Sequence, residues 1–348
     1  PAEDSPDDFH GVGSFNLKTG KSLSKTGPPT YTEVFGKSLV QLAKENKEII
    51  GITAAMPDGT GLKFLAKEIP ERFFDVGIAE QHAVTLAAGL ACQGFRPVVA
   101  IYSTFLQRAY DQIIHDICLQ NLPVIFIVDR AGLVGQDGET HHGLFDLSFL
   151  RPIPNLNILV PKDELELSQM LTTSLKQKGP IAIRFPRGRG IGVNLDKRFQ
   201  HLSWGQSETL LKGDDLLMLT AGPIAYEALQ AATILKDRDI SCQVINTRFL
   251  KPLDEKTLVK EIQRIKKVIT IEENVLAGGF GSAIREMIGK EGLEDIRLAN
   301  LALPDVFIQH GDADFLRKKY GLSAEGILNM VEEKFYPRKV DTNIFSIK

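Results

Sequence analysis

The chain has 348 residues, 43% of them hydrophobic and 24% charged, which is ordinary globular material with room for about two or three domains of roughly 150 residues. Its 41 Lys and Arg against 44 Asp and Glu leave a formal charge of -3, which argues against nucleic acid or an anionic membrane as a partner, and no apolar run approaches the roughly 20 residues of a membrane span. The three cysteines, Cys92, Cys118 and Cys242, lie far apart and form no CxxC, so a disulfide framework and a zinc site are disfavoured and a reducing, cytoplasmic setting is expected.

Residues 1–29 are rich in Pro, Gly, Ser and charge, and open on Pro1 with no signal-peptide pattern. They read as an interdomain linker in a chain derived from a longer polypeptide. Thr30-Tyr31-Thr32-Glu33 fits a capping box, with Phe35, Leu39 and Leu42 at helical spacing behind it. Next come a buried strand over 49–54, a short strand over 73–76 and an alanine-loaded helix over 80–92. A strand over 97–102, a helix over 105–119 and a strongly apolar strand over 122–128 follow. Beyond a glycine-rich loop, 131–143, the pattern predicts a strand over 158–160, a helix beginning at Asp163 and a strand over 181–185.

The glycine-rich stretch after Arg187 reads as a connector to a second unit. That unit has predicted strands over 216–220, 242–246 and 268–271, with helices over 225–235, 255–262 and after Gly281. Apolar strands separated by helices imply parallel sheets covered on both faces. The expected fold is therefore α/β: two three-layer α/β/α domains with mostly parallel sheets, over 30–195 and 204–336, and a tail over 337–348.

In such sheets ligands collect beyond the carboxyl ends of the strands. Three polar clusters fall there in the first unit, over 77–82, 102–108 and 129–142, whereas the second offers only AGGFGS and the His310-Gly311 pair. The chemistry is expected in the first unit. In FFDVGIAEQHAVTLAAGLA, Glu80 stands at a strand-to-helix junction, where an acid can simply complement the helix N-terminus. In IYSTFLQRAYDQIIHD, Phe105 and Ile113 suit the core of an amphipathic helix, and Phe105 also suits stacking on a flat ligand.

DRAGLVGQDGETHHGLFDLSFLRPIPN places Asp137, Glu139, His141 and His142 in a glycine-rich loop, which reads as a mobile turn or a metal site. Metal is disfavoured, because adjacent histidines do not easily point the same way. Arg130 and Arg187 each follow a predicted strand, and their planar forks match phosphate oxygens bidentately. AGGFGS lacks a full GxGxxG and, like His310, reads as close helix packing or an ordinary turn.

IAEQHAV before a Gly/Ala-rich helix, IYSTFLQRAYDQIIHD and the DRAGLVGQDGETHHG loop together resemble the 1-deoxy-D-xylulose-5-phosphate synthase family of transketolase-like thiamine diphosphate enzymes. The resemblance runs from DDFHG to LPDVFIQHG and is strongest over 31–193. It implies a homodimeric transferase that joins pyruvate to D-glyceraldehyde 3-phosphate, releases carbon dioxide and feeds isoprenoid, thiamine and pyridoxal synthesis. It implies that Glu80 is the activating glutamate at N1′ of the aminopyrimidine, with Ile78 and Phe105 as further cofactor contacts, Phe105 by stacking. By the same resemblance Tyr102 and Arg108 face the substrate channel and Arg130 contacts the acceptor phosphate, with Arg187 as a second phosphate or carboxylate partner. Asp137 and His141 would lie beside the reacting carbons, and His10 would reach the site from the linker.

That family binds the diphosphate and Mg²⁺ through a GDG…N motif on an N-terminal domain. No GDG with a suitably spaced Asn occurs here, so the metal ligands are expected on a domain outside this sequence, and the chain alone is expected to be inert. Two other readings stand beside this one. A transketolase or a 2-oxoacid dehydrogenase β subunit would carry a loop different from DGETHHG. A dimerising module without turnover would have no need of Glu80, Arg130 and Arg187.

Overall fold

The computed structural model describes residues 3, 15–20 and 27–337. The capping box forms: the Thr30 hydroxyl accepts the Glu33 backbone N–H at 3.1 Å, and the Glu33 carboxylate accepts the Thr30 N–H at 2.9 Å. Two orphan donors are thereby satisfied at the start of helix Tyr31–Glu45, which buries Val34, Phe35, Leu39 and Leu42.

The first unit carries strands β1 (Ile49–Thr53), β2 (Phe73–Asp75), β3 (Arg96–Tyr102), β4 (Ile125–Asp129), β5 (Asn157–Leu159) and β6 (Ile181–Arg184). The second carries β7 (Glu208–Leu211), β8 (Leu216–Ala221), β9 (Cys242–Asn246), β10 (Phe249–Lys251), β11 (Lys267–Val275) and β12 (Arg297–Leu303). One sheet runs in the order β10-β5-β6-β4-β3-β1-β2, the other β12-β11-β8-β9-β7. Pairing is parallel except for β10 on β5 and β7 on β9, which are antiparallel. β1, β4 and β6 are buried along their whole length, as strands covered on both faces must be. The α/β expectation holds. No helix among the described residues is long and apolar enough to cross a membrane.

The structure corrects the sequence reading at two places. The stretch expected as one helix over 105–119 is a succession of short turns: Ser103–Leu106, Gln107–Ala109, Tyr110–Gln112 and a π-helical Ile113–Cys118. Ile113 is fully buried, together with Leu106, Ala109 and Ile117, whereas Phe105, also expected to suit the core, is only half-buried. Spacing alone does not separate α from 3₁₀ or π winding.

The two units are also more than beads on a connector. β10 leaves the second unit to extend the first sheet, where Phe249 and Lys251 pair with β5. A charged cluster reinforces the seam, with Lys162 Nζ 2.9 Å from Glu208 and Arg248 Nε 2.9 Å from buried Glu166. Strands β7, β10 and β12 were missed because they are short, half-exposed or antiparallel additions to a parallel pattern.

Candidate active site

β3, β4 and β6 are neighbours, with Tyr102 opposite Asp129 and Val128 opposite Arg184. Their carboxyl ends therefore open side by side, as a parallel sheet requires of a ligand site. Arg130 follows β4 and Arg187 follows β6. Their Nη1 atoms converge on one acceptor, Asp137 Oδ2, Arg130 from 3.0 Å and Arg187 in a close ion pair. The Arg130 guanidinium also lies 3.9 Å from the centroid of the Tyr102 ring, a cation–π contact that fixes its plane.

Tyr102 continues the site inward. Its ring stacks on Phe105 with centroids 5.8 Å apart and planes 24° from parallel, and burial pushes its hydroxyl above the usual range. Gly59 leaves room for that hydroxyl, since a Cβ there would come within 1.5 Å of the oxygen. His141 meets Phe105 edge-on at 5.4 Å, while its Nδ1 is 2.9 Å from the Thr140 hydroxyl.

Arg108 joins the Phe105 ring to the acid. Its guanidinium lies 5.2 Å from that ring's centroid, and its Nη1 donates to Glu80 Oε1 at 3.1 Å. Glu80 opens helix Glu80–Cys92 and is only 2% exposed. Ile78, two residues earlier, is 80% exposed, so this apolar side chain stands at the rim rather than in the core. The sequence-predicted residues Glu80, Tyr102, Phe105, Arg108, Arg130, Asp137, His141 and Arg187 thus form one connected constellation. His10 lies outside the described residues.

The two histidines of the loop diverge, as adjacent side chains should. His142 is buried, its Nδ1 accepting the Val134 N–H at 3.0 Å and its Nε2 facing the Gln309 carbonyl at 3.4 Å. Nδ1 is therefore the acceptor and Nε2 carries the proton, and burial holds this imidazole below its ordinary pKa. The second unit supports the loop from behind. Gly132, at φ +76°, passes so close to Glu273 that a Cβ would lie 2.2 Å from its carboxylate. Glu273 is itself ion-paired with Arg317.

Sequence reasoning placed Asp129 in the 129–142 polar cluster but gave it no role; it is a fully buried carboxyl at the end of β4 whose pKa desolvation raises to about 7. Its partner, the Thr32 hydroxyl at 2.9 Å, is 97 residues away in the chain, so no local signal could have found the pair.

Residues 27–190 match the transketolase pyrimidine binding domain, and residues 205–327 match the transketolase C-terminal domain. The chain is 53% identical over 339 residues to 1-deoxy-D-xylulose-5-phosphate synthase of Pelotomaculum thermopropionicum, covering 97% of this chain and 53% of that protein. It is 54% identical over 333 residues to 1-deoxy-D-xylulose-5-phosphate synthase 1 of Geobacter sulfurreducens, covering 95% and 52%. The chain spans about half the length of the curated relatives it matches. Among solved structures, transketolase of Campylobacter jejuni shares the fold, with TM-score 0.73 at 20% identity over 94% of this chain and 49% of that one. A structure described as "Split gene transketolase, inactive beta4 tetramer" superposes with TM-score 0.78 at 31% identity, covering 88% of this chain and 98% of that chain. On this nearly end-to-end match and the two domain assignments, the chain belongs to the transketolase family, of which it carries the pyrimidine-binding and C-terminal domains.

Proposed function

We propose that this chain is the pyrimidine- and acceptor-binding half of a thiamine diphosphate-dependent 1-deoxy-D-xylulose-5-phosphate synthase, joining pyruvate to D-glyceraldehyde 3-phosphate with loss of carbon dioxide. The observation that carries the reading is the two-arginine site formed by Arg130 and Arg187, which shares the Tyr102–Phe105 stack with buried Glu80. A phosphate-bearing acceptor needs such donors, and a 2-carbon donor chemistry needs the cofactor beside them. The name of relatives at 53% and 54% identity, 1-deoxy-D-xylulose-5-phosphate synthase, supports the same assignment.

The residues present fit the pyrimidine end of thiamine diphosphate. A buried carboxylate at a helix start suits a ring nitrogen, and the face of Phe105 suits the ring itself. Bound there, the cofactor supplies the electron sink for decarboxylation. The protein's part is proton management and orientation. Glu80 would hold N1′ of the aminopyrimidine by a hydrogen bond, the contact through which a carboxyl can assist the ring's proton shifts. Arg108 holds the Glu80 carboxylate at 3.1 Å, Ile78 would border the ring, and Tyr102 would wall the substrate channel. Asp137 and His141 would face the acceptor's reacting carbon, where the His141 imidazole can donate or accept a hydrogen bond. No GDG…N occurs among these residues, so Mg²⁺ and the diphosphate would be held by groups outside them, and the working assembly is a cytoplasmic homodimer. The split-gene relative described as inactive in a β4 assembly supports the further proposal that this chain by itself does not turn over.

The test is reconstitution. The chain is mixed with the diphosphate-binding domain of a synthase relative, thiamine diphosphate, Mg²⁺, pyruvate and D-glyceraldehyde 3-phosphate, and the product is identified by mass and NMR. Deoxyxylulose phosphate with carbon dioxide is expected. Ketol transfer from a sugar phosphate without carbon dioxide would assign a transketolase instead, and acyl transfer to a lipoyl acceptor would assign a dehydrogenase subunit.

A further inference from the structure

Asp129 has no role in the chemistry above, yet it is fully buried at the edge of the site. Its Oδ1 accepts the backbone N–H of Arg130 at 2.6 Å, and its Oδ2 accepts the Thr32 hydroxyl at 2.9 Å. Arg130 has φ +59°, the left-handed region that a residue with a Cβ occupies only where its surroundings over-determine it. Immediately afterwards the Ala131 N–H bonds to the Phe185 carbonyl at 3.0 Å, so the chain leaves β4 at Arg130 and crosses to the end of β6. Had Arg130 continued the strand, its side chain would alternate to the face opposite that of Asp129. The left-handed turn instead lays the guanidinium against the Tyr102 ring and brings Nη1 to Asp137.

We propose that Asp129 is a positioning residue for acceptor recognition: tied to helix Tyr31–Glu45 through Thr32, it holds the strained turn that aims Arg130 into the phosphate site beside Arg187. The inference rests on the reading of Arg130 as a phosphate contact. The charged and titratable groups that bear on Asp129 are Arg130, Arg187 and Tyr102. The two cations favour its ionised, doubly accepting form, and burial opposes it. A side-chain acceptor on the following N–H is the kind of local bond that fixes an otherwise disfavoured backbone conformation.

The experiment uses the reconstituted enzyme with Asp129→Ala, Asp129→Asn, Thr32→Val, Arg130→Ala and the double variant Asp129→Ala/Arg130→Ala. Releasing the turn should lower the population of the competent Arg130 conformer by about 5- to 150-fold, which corresponds to about 1–3 kcal/mol. Asp129→Ala should therefore raise KM for D-glyceraldehyde 3-phosphate within that range and leave KM for pyruvate nearly unchanged. Asp129→Asn keeps one acceptor oxygen and should recover part of the loss. In the Arg130→Ala background the Asp129→Ala change should add little, because both act through one guanidinium.

If Arg130→Ala weakens use of the phosphorylated acceptor while Asp129→Ala raises both KM values alike, or adds fully to Arg130→Ala, the positioning role is wrong and the phosphate reading survives. If Arg130→Ala itself leaves the preference for a phosphorylated acceptor intact, the underlying reading fails and this inference with it. Should Asp129→Ala not fold, Thr32→Val, which removes only the hydroxyl bond, carries the same KM comparison with a smaller expected rise.

Discussion

Replacing each arginine of the proposed phosphate site by alanine tests the site where its geometry is most explicit. A hydrogen bond to a charged group contributes about 1.5–3 kcal/mol, which is roughly a 10- to 150-fold change at about 1.4 kcal/mol per factor of ten. The two positions should differ within that range. The Arg130 side chain is 17% exposed and braced on Tyr102, whereas Arg187 is 43% exposed, and solvent screens the more open charge. Both arginines already share Asp137, so a phosphate exchanges one anionic partner for another rather than meeting bare cations. That exchange pulls both losses toward the lower end. Arg187→Ala is expected to cost about tenfold, and Arg130→Ala more. The assay is the ratio of kcat/KM for D-glyceraldehyde 3-phosphate to that for D-glyceraldehyde, in the reconstituted enzyme. Using a ratio cancels general damage to the fold or to pyruvate use. If both variants kept the parent ratio, the arginines would be structural and the phosphate would bind elsewhere.

Three further outcomes are expected. Glu80→Gln should leave the circular dichroism spectrum unchanged and slow hydrogen–deuterium exchange at C2 of bound thiamine diphosphate by orders of magnitude; near-parent exchange would remove Glu80 from its role. Arg184→Leu should lower stability by about 3–5 kcal/mol in urea unfolding, because it strands buried Asp146, whose two oxygens the guanidinium Nε meets at 2.9 and 2.8 Å. Stability should fall as pH rises from about 4 towards about 7 and level off above it, since burial raises both Asp129 and Glu272 to about 7. The unfolded carboxyls ionise near pH 4 while the folded ones keep their protons, so their contribution is full in acid and lost above neutrality. Melting temperatures from about pH 5.5 to 8 should show this slope, and Asp129→Asn with Glu272→Gln should flatten it.

The parts of the molecule legible in the sequence are those governed by local chemistry or a single period. Thr30 and Glu33 cap a helix because their side chains reach across one turn, and Glu80–Cys92 is helical because alanine-rich text favours it. The apolar runs behind Arg130 and Arg187 predicted buried parallel strands, and the two arginines meet because β4 and β6 are neighbours. Pairing order is a long-range property, which is why β10 could not be assigned to the first sheet from three residues of its own. The Arg108–Glu80 bond crosses 28 positions and the Asp129–Thr32 bond crosses 97. Both depend on which strand ends come together. The winding of Ile113–Cys118 was hidden for a different reason, since a π turn buries the same apolar side chains that an α turn would.

The placement of support in this site explains why its second domain matters although it offers no evident catalytic group. The glycine-rich loop could not hold Asp137 and His141 by its own propensity, because glycine is where the chain is least constrained. The constraint comes from across the seam. Arg317 and Glu273 back Gly132 and Leu133, Gln309 faces the His142 ring, and the Gly311 N–H bonds to the Gly135 carbonyl at 3.2 Å. Arg184 ties the base of the loop to the same strand, β11, through the Glu273 carbonyl at 2.7 Å. A loop with several positive-φ glycines can approach a ligand closely, and anchoring it from a separate domain restores the precision that glycine gives up. The His310-Gly311 segment, ordinary when read as sequence, is part of that anchor. The first domain supplies the groups proposed to touch ligand, and the second fixes the loop on which Asp137 and His141 depend.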